Sequence, residues 1–276
     1  MLRRSLRAAS LAVFLAPLAK AQTYYSIDVN NDVLCIVNVT TGVATPVGPV
    51  QVDLGSVALA WHQGALYAKT QGTSSGTKIC QIVTDGQWIG YALQGAFLNG
   101  GTYQGAEAAS IASDGSQLCL SYSPNTPTDF NSIRFGSVNP IWAGTITNIG
   151  NLIGDIDGMT FCGGHFWGID VVNSTSGYDL YWSPTGNPGV GPTALLGGDT
   201  YDNTLATNPV QPAEDYLDAS QLVCMGQTGQ NLVRINKSNG KRSLVTPITG
   251  LMSGGALSGL ALRPNPCGPF IIHHVQ

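Results

Sequence analysis

The sequence predicts an all-β fold, and more narrowly a five-bladed β-propeller built from four-stranded antiparallel blades. Three observations lead to this prediction. Helical periodicity is almost absent after residue 22, short runs of β-branched, aromatic and leucine residues alternate with Gly, Asn, Asp and Pro clusters, and one such run recurs at a nearly constant spacing. With 10% charged and 43% hydrophobic residues, the 276-residue chain is not a coiled coil, a polycation or a typical disordered chain.

The recurring run marks the first strand of each predicted unit. Its five copies are Tyr24–Asp28, Leu66–Thr70, Leu118–Tyr122, Phe166–Asp170 and Leu222–Gly226. The distance from position 24 to position 222 is 198 residues in four steps, a mean spacing of 49.5 residues. A second run follows each copy, at Leu34–Asn38, Ile79–Ile82, Ile133–Phe135, Leu180–Trp182 and Leu232–Asn236.

Two further runs complete each unit, as Thr45–Gly48 and Gly259–Leu262 illustrate. Four short runs separated by turn residues predict an antiparallel meander. One such sheet cannot keep both of its faces dry, so neighbouring sheets must stack, and four strands in about 50 residues favour propeller blades. A β-sandwich would share the composition, but it does not account for five evenly spaced copies.

The units together resemble a known group of proteins. The pattern Leu-Tyr-x-Ile-Asp, Leu-x-x-Ile-Asn-x-x-Thr-Gly, Thr-x-Val-Gly and Gly-Leu-Ala is similar to the degenerate repeats of secreted bacterial β-propeller proteins, many of them of unassigned function. The resemblance covers the chain after residue 21 and implies blade geometry rather than a chemistry. The second unit departs from it at Thr84-Asp85-Gly86, the fourth carries a long insertion at Gly197–Ala213, and Phe270–His274 is a candidate sixth inner strand, which leaves the ring closure open.

The first 21 residues have the features of a secretory signal peptide. Three arginines precede the apolar run Leu11–Ala19, which is too short to span a bilayer, and Ala19-Lys20-Ala21 is a small-x-small cleavage site. We therefore expect a signal peptide at 1–21, one propeller domain at 22–266 and a tail at 267–276. No later apolar run is long enough to span a membrane, which predicts an extracellular or periplasmic protein without a membrane span.

The predicted topology sorts the acidic residues onto one end of the ring. Loops between the first and second strands, and between the third and fourth, open at the same end, and 13 of the 16 acids fall there. An acidic face attracts cations and repels polyanions, so nucleic acid is excluded as a partner, whereas a glycan, calcium or an extracellular protein is favoured. Acidic loops that only keep the protein soluble are the alternative. The candidate binding residues are Asp155, Asp157, Asp199, Asp202, Glu214 and Asp215.

Two acidic segments are candidate calcium sites. Asp28–Asp32 has the oxygen spacing of the first half of a calcium loop, but Val33 and Val39 stand where the loop needs a glycine and a bidentate acid. An Asn-Asn hairpin turn is the alternative there. Asp155 and Asp157 supply only two ligands. Calcium is therefore a candidate cofactor without a complete ligand set.

These observations lead to a first functional hypothesis and two alternatives. The first is a secreted non-catalytic binding or scaffold propeller whose acidic rim engages a glycan, a cation or a protein. The second is a glycoside hydrolase with a three-carboxylate site formed by Asp28, Asp170 and Glu107 at the channel mouth, since sugar hydrolysis needs an acid and a second carboxylate. The third is a purely structural envelope component.

The remaining reactive residue types predict structural roles. His62 and His165 fall in turns and are expected to be exposed. Cysteines in register within strands are expected to be buried thiols, and Cys267 is the candidate for a disulfide that pins the tail. The cysteines expected to be buried thiols are Cys35, Cys80, Cys119 and Cys224. Tryptophans within strands are expected to pack between blades rather than to form a sugar platform.

Overall fold

A computed structural model describes most of the chain after residue 22, and nearly all of its regular structure is β-strand. The described residues are 23–50, 57–69, 77–84, 96–98, 102–103, 107–123, 134–138, 141, 146–151, 156–173, 177–183, 194–197 and 209–263. Within them, no helix is long and apolar enough to cross a membrane.

The described strands pair into five antiparallel sheets, numbered here from 1 to 5. Sheet 1 has the order β21 (Leu257–Arg263), β1 (Thr23–Asp28), β2 (Val33–Asn38) and β3 (Val43–Pro49). Sheet 2 has the order β4 (Ala58–His62), β5 (Ala65–Lys69), β6 (Thr77–Val83) and β7 (Ala96–Leu98), with β8 (Thr102–Tyr103) also paired to β6. Sheet 3 has the order β9 (Glu107–Ser113), β10 (Leu118–Ser123), β11 (Arg134–Ser137) and β12 (Thr147–Asn151).

The last two sheets repeat this arrangement. Sheet 4 has the order β13 (Gly158–Cys162), β14 (His165–Asn173), β15 (Gly177–Trp182) and β16 (Ala194–Gly197). Sheet 5 has the order β17 (Pro209–Glu214), β18 (Gln221–Gly226), β19 (Asn231–Asn236) and β20 (Arg242–Pro247). Sheets 2 to 5 are therefore antiparallel meanders of consecutive strands, whereas sheet 1 joins β21 to the meander β1–β3.

One edge strand of each sheet lies next to the corresponding strand of the following sheet. These inner strands contact one another in the order β4, β9, β13, β17, β21 and again β4. Residues of all five line one narrow cavity of about 330 Å³, a volume that includes the solvent space at its open end. We call the end where the inner strands begin the upper rim and the end where they finish the lower rim.

The hydrophobic core is divided into layers between neighbouring sheets. Successive residues of one strand point to opposite layers: Tyr24 packs with Val223 of sheet 5, whereas Tyr25 packs with Leu59 of sheet 2. Three other clusters fill the junctions of sheets 2 and 3, 3 and 4, and 4 and 5. Because a buried Leu, Ile or Val side chain contributes roughly 1.5–3 kcal/mol, the sheets stabilise one another mainly through these layers.

The structure corrects the predicted phase of the repeat. The sequence predicts that Tyr24–Asp28 is an innermost strand, but β1 is second in its sheet, and the inner position belongs to β21 at the other end of the described chain. The predicted fourth run of each unit is thus the inner strand of the next sheet. The proposed sixth inner strand, Phe270–His274, lies outside the described residues.

A second correction concerns the predicted insertion at Gly197–Ala213. Its end is not a loop, because Pro209–Glu214 forms β17, the inner strand of sheet 5. The pairing of β17 with β18 shifts register between Pro209 and Pro212. Prolines lack the N–H group that a regular ladder needs, so the irregular pairing accommodates them.

Candidate functional site

Asp28 ends β1 at the upper rim, and its carboxylate accepts hydrogen bonds from other groups of the protein. The residue is 1% exposed. One oxygen accepts hydrogen bonds from the backbone N–H groups of Asn30 (3.3 Å) and Ala256 (3.2 Å), and the other accepts one from the Asn31 side chain (2.9 Å). N–H donors compete with a cation for the same lone pairs. This geometry favours the hairpin-turn interpretation of Asp28–Asp32 over a calcium loop.

Three acids of sheet 4 gather at the upper rim, and we call them the sheet-4 acidic group: Asp157, Asp170 and Asp179. Asp170 and Asp179 are directly opposite each other on β14 and β15. Asp157 precedes β13, donates its N–H to the carbonyl of Ile169 (2.8 Å) and accepts the N–H of Val171 (2.8 Å), so it flanks Asp170. Burial raises the pKa of the nearby Tyr181 hydroxyl, and Asp179 and Asp170 raise it further.

Like charges placed directly opposite each other on two strands repel, and a hydrogen-bond donor or a cation between them relieves that repulsion. The sheet-4 acidic group therefore concentrates negative charge in the described part of the upper rim. Within the described residues, no group of three or more His, Cys, Asp or Glu side chains has the geometry to hold a metal ion.

The other predicted upper-rim residues are only partly described. Glu107 begins β9, which places its backbone at the same rim as the ends of β1 and β14. Of the predicted binding residues, Asp155, Asp199 and Asp202 lie outside the described residues. The predicted three-carboxylate set thus shares one rim, but its member Asp28 is already held by three donors.

Glu214 and Asp215 were predicted to share a rim with Asp157, and this grouping is wrong. They end β17, so they lie at the lower rim, whereas Asp157 precedes β13 at the upper rim. Asp215 is 1% exposed and pairs with Arg234 at 2.5 Å, and Arg234 also donates to the carbonyl of Val39 in sheet 1 (2.8 Å). Asp215 is therefore part of the junction between sheets 5 and 1.

Glu214 takes part in the same junction through its backbone. The Tyr24 hydroxyl donates to the Glu214 carbonyl (2.6 Å) and accepts the N–H of Tyr216 (3.1 Å). Its carboxylate lies 3.8 Å from the Lys237 ammonium group, and the residue lines the central cavity. Burial raises the pKa of Tyr24 far above its ordinary value, which keeps this hydroxyl a donor.

The rims still differ in charge after this correction, although less than predicted. The described upper-rim acids are Asp28, Asp32, Glu107, Asp157, Asp170 and Asp179, and the cations there are Lys69, Lys78 and Arg134. The described lower-rim acids are Asp114, Glu214, Asp215 and Asp218, and the cations there are Arg234, Lys237, Lys241, Arg242 and Arg263. The upper rim of the described residues is thus net negative and the lower rim is not.

His62 was predicted to be exposed in a turn, but the structure buries it. It is 5% exposed at the end of β4, and its Nδ1 lies 2.7 Å from the Ser113 hydroxyl at the end of β9. The Ser113 oxygen also accepts the N–H of Gly115 (3.0 Å), and Ser113 lines the central cavity. The pair joins sheets 2 and 3 at the lower rim, a contact that becomes visible only once β4 is recognised as an inner strand.

Burial makes His62 a source of pH-dependent stability. Desolvation lowers its pKa below the ordinary value of 6.5, and Asp114 opposes this shift. Below pH 6.5 the unfolded chain binds the proton more readily than the folded one, so the stabilising contribution is present above this pH and is lost as the pH falls towards the folded-state pKa.

His62→Asn keeps a polar partner for Ser113 without this titration. We expect the urea midpoint to fall more steeply between about pH 7 and pH 5 in the wild type than in His62→Asn, whereas parallel curves would contradict this role.

Small antiparallel sheets whose inner strands surround one cavity, with loops gathered at two rims, define a β-propeller-like fold.

Three solved structures are among those similar to it. A chain of a nidogen/laminin complex has a TM-score of 0.46 and 12% identity, covering 87% of this chain and 98% of that chain. The glutaminyl cyclase of Myxococcus xanthus has a TM-score of 0.44 and 14% identity, covering 73% and 74%.

A luciferin-regenerating enzyme has a TM-score of 0.47 and 10% identity, covering 82% of this chain and 76% of that chain. No protein-family model matches the sequence, and no curated protein sequence matches it either.

Proposed function

We propose that this chain is an exported five-bladed β-propeller that acts as a non-catalytic binding or scaffold protein. Its ligand, a glycan with calcium as the candidate bridging cation, binds at the upper rim through the sheet-4 acidic group. The facing pair Asp170 and Asp179 carries this proposal, because two adjacent carboxylates accept hydrogen bonds from neighbouring sugar hydroxyls or share a hard cation. The basic and apolar segment at 1–21 supports export.

The count of five blades is supported by the way the sheets meet. The inner strands contact one another in a cycle, five core layers separate five sheets, and the cavity is lined from all of them. β21 pairs with β1, so strands from both ends of the described chain complete one blade. We propose that this pairing closes the ring.

The shape of the cavity favours a site on the rim rather than inside the ring. The inner strands bring small or apolar side chains to the cavity, among them Ala60, Ala112, Ala213 and Ala261, and these strands lie close together. Small-molecule pockets in proteins bury most of their ligand, whereas much of the space in this cavity is open solvent. A glycan chain therefore fits the rim loops better than the channel.

The hydrolase alternative has less support than the binding function. It needs one carboxyl group that gives up a proton and a second that acts as nucleophile or base. The buried carboxylate of Asp28 instead accepts hydrogen bonds from three N–H donors. The binding function asks only that the partly exposed Asp170 and Asp179 accept hydrogen bonds.

A glycan array with and without calcium tests the proposal. We expect the wild type to bind a restricted set of glycans and Asp170→Asn/Asp179→Asn to lose about tenfold or more in affinity, since hydrogen bonds to charged groups contribute about 1.5–3 kcal/mol. Asp114→Asn/Asp218→Asn is the matched control: it removes the same charge at the lower rim and keeps the oxygen that caps each turn. Equal binding by both double variants, or no binding by the wild type, would contradict the proposal.

A further inference from the structure

Cys162 ends the inner strand β13 in an unusual setting for a buried thiol. Its sulfur lies 3.3 Å from the side-chain nitrogen of Lys237, which follows β19 in the neighbouring sheet. Cys162 is fully buried, whereas the Lys237 side chain is 14% exposed. The nitrogen and sulfur therefore meet at the junction of sheets 4 and 5, with solvent on the lysine side.

Trp167 and Glu214 hold the two groups in place. The Trp167 indole N–H donates to the Cys162 carbonyl (3.2 Å), and the Lys237 nitrogen lies 5.7 Å from the centre of the same ring. Glu214 lies 3.8 Å from the Lys237 nitrogen on another side. The Lys237 backbone is fixed as well, because its N–H donates to the Ser220 carbonyl (2.9 Å). The thiol and the amine are thus preorganised neighbours.

We propose that Cys162 and Lys237 form an oxidative modification site, at which hydrogen peroxide links the two side chains through a sulfur–nitrogen bond. The Cys162 sulfur attacks one peroxide oxygen, the O–O bond breaks, and the thiol proton leaves with hydroxide as water, which gives a sulfenic acid. Lys237 releases its ammonium proton to solvent. Its nitrogen then attacks the sulfur, the S–O bond breaks, and the hydroxyl leaves as water with an N–H proton.

The overall change balances: one thiol, one ammonium group and one peroxide molecule give one sulfenamide, two water molecules and one proton. Sulfur is oxidised by two electrons and peroxide is reduced by two. Condensation of a sulfenic acid with a nitrogen is an established branch of cysteine oxidation. The product would join sheets 4 and 5 across 75 residues of sequence.

Cys224 provides a matched comparison. It belongs to the same core layer as Cys162, and burial raises its pKa well above the ordinary value, so it stays a protonated thiol. Burial also raises the pKa of Cys35 to about 12. Thiols of this kind react slowly with peroxide, because the thiolate is the nucleophile. Cys224→Ser is therefore expected to leave the modification unchanged.

The experiment treats the purified protein with dilute hydrogen peroxide, quenches it, and maps peptides by mass spectrometry before and after reduction with dithiothreitol. We expect a linked pair of peptides containing Cys162 and Lys237, lighter than their sum by two hydrogen atoms and separated by the reductant. The link should form in the wild type and in Cys224→Ser, but not in Cys162→Ser or Lys237→Arg. Tm should rise by about 5–10 °C in the linked protein, because a long loop is closed.

The wild-type map is decisive even where a variant fails to fold. Recovery of Cys162 as an unlinked thiol after peroxide treatment would overturn the proposal. Recovery of Cys162 as an unlinked sulfinic acid would overturn it too, since that product shows oxidation without capture by Lys237. Glycan binding at the upper rim plays no part in these readouts, so the proposed function and this modification succeed or fail separately.

Discussion

Arg234→Met is expected to destabilise the protein by about 3–5 kcal/mol, because it leaves the buried carboxylate of Asp215 without its partner. Asp215 is 1% and Arg234 8% exposed, so water cannot replace the lost ion pair. The substitution also removes the hydrogen bond from Arg234 to the Val39 carbonyl, which links sheet 5 to sheet 1. Urea unfolding followed by tryptophan fluorescence measures the loss.

A double variant separates the charge penalty from the loss of packing. Asp215→Asn keeps an oxygen for the Leu217 N–H (3.0 Å) but removes the buried charge. We expect Arg234→Met combined with Asp215→Asn to be more stable than Arg234→Met alone, since most of the cost of breaking a buried pair is the uncompensated charge. Additive losses would show that Asp215 is solvated and that the pair is not buried in solution.

Asp218→Asn is the matched control for this pair. Asp218 lies in the same turn as Asp215 but is only partly buried, and one of its oxygens accepts hydrogen bonds from the backbone and side chain of Ser220. Its hydrogen bonds lower its pKa to about 2. Asparagine retains that oxygen, so the change in stability should be much smaller than for Arg234→Met.

The positions of most strands follow from the sequence because each strand is buried on two sides. Neighbouring residues such as Tyr24 and Tyr25 enter different core layers, which produces short apolar runs rather than a helical spacing. The innermost strand could not be predicted in the same way. In a circular repeat, the spacing between copies is the same whichever strand is taken as the first of each unit. β1 is the second strand of its sheet because it pairs with β21, which is formed by residues 257–263.

The strand β17 escaped the prediction for a local reason. Its sequence begins with Pro209 and contains Pro212, and prolines argue against a regularly paired strand, although an edge strand such as β17 can hold them. The register shift between these two residues resolves the conflict in three dimensions. Missing β17 moved Glu214 and Asp215 to the wrong rim, so one unrecognised strand caused the largest error in the predicted site.

Side-chain contacts between residues far apart in sequence account for the remaining differences between the predicted and the observed site. The sequence shows that Asp28 is followed by two asparagines, but not that Ala256 donates to it from 228 residues away. Likewise, the buried contact of His62 with Ser113 depends on two inner strands 51 residues apart. Composition therefore identifies where acids concentrate along the chain, whereas only the packing shows which of them are already satisfied within the protein.

Gly42→Ala is expected to weaken the junction between sheets 5 and 1 by about 2–4 kcal/mol. Gly42 lies in the turn between β2 and β3 at a φ of 74°, and its carbonyl accepts the N–H of Thr249 (2.9 Å). A Cβ atom at this position would overlap the backbone carbonyl of Pro247, which cannot rotate away. The cost combines a left-handed conformation for alanine with overpacking at the junction.

Gly64→Ala isolates the backbone part of this cost. Gly64 has a similar φ of 86° in the turn between β4 and β5, but a Cβ atom there would meet nothing within 4 Å. It should lose only about 1 kcal/mol in urea unfolding, from the conformational preference alone. The difference between the two variants therefore measures how tightly the turn of sheet 1 rests on the end of β20. Equal losses would mean that the two sheets are not in contact at Pro247, which would remove one of the contacts that support a closed ring.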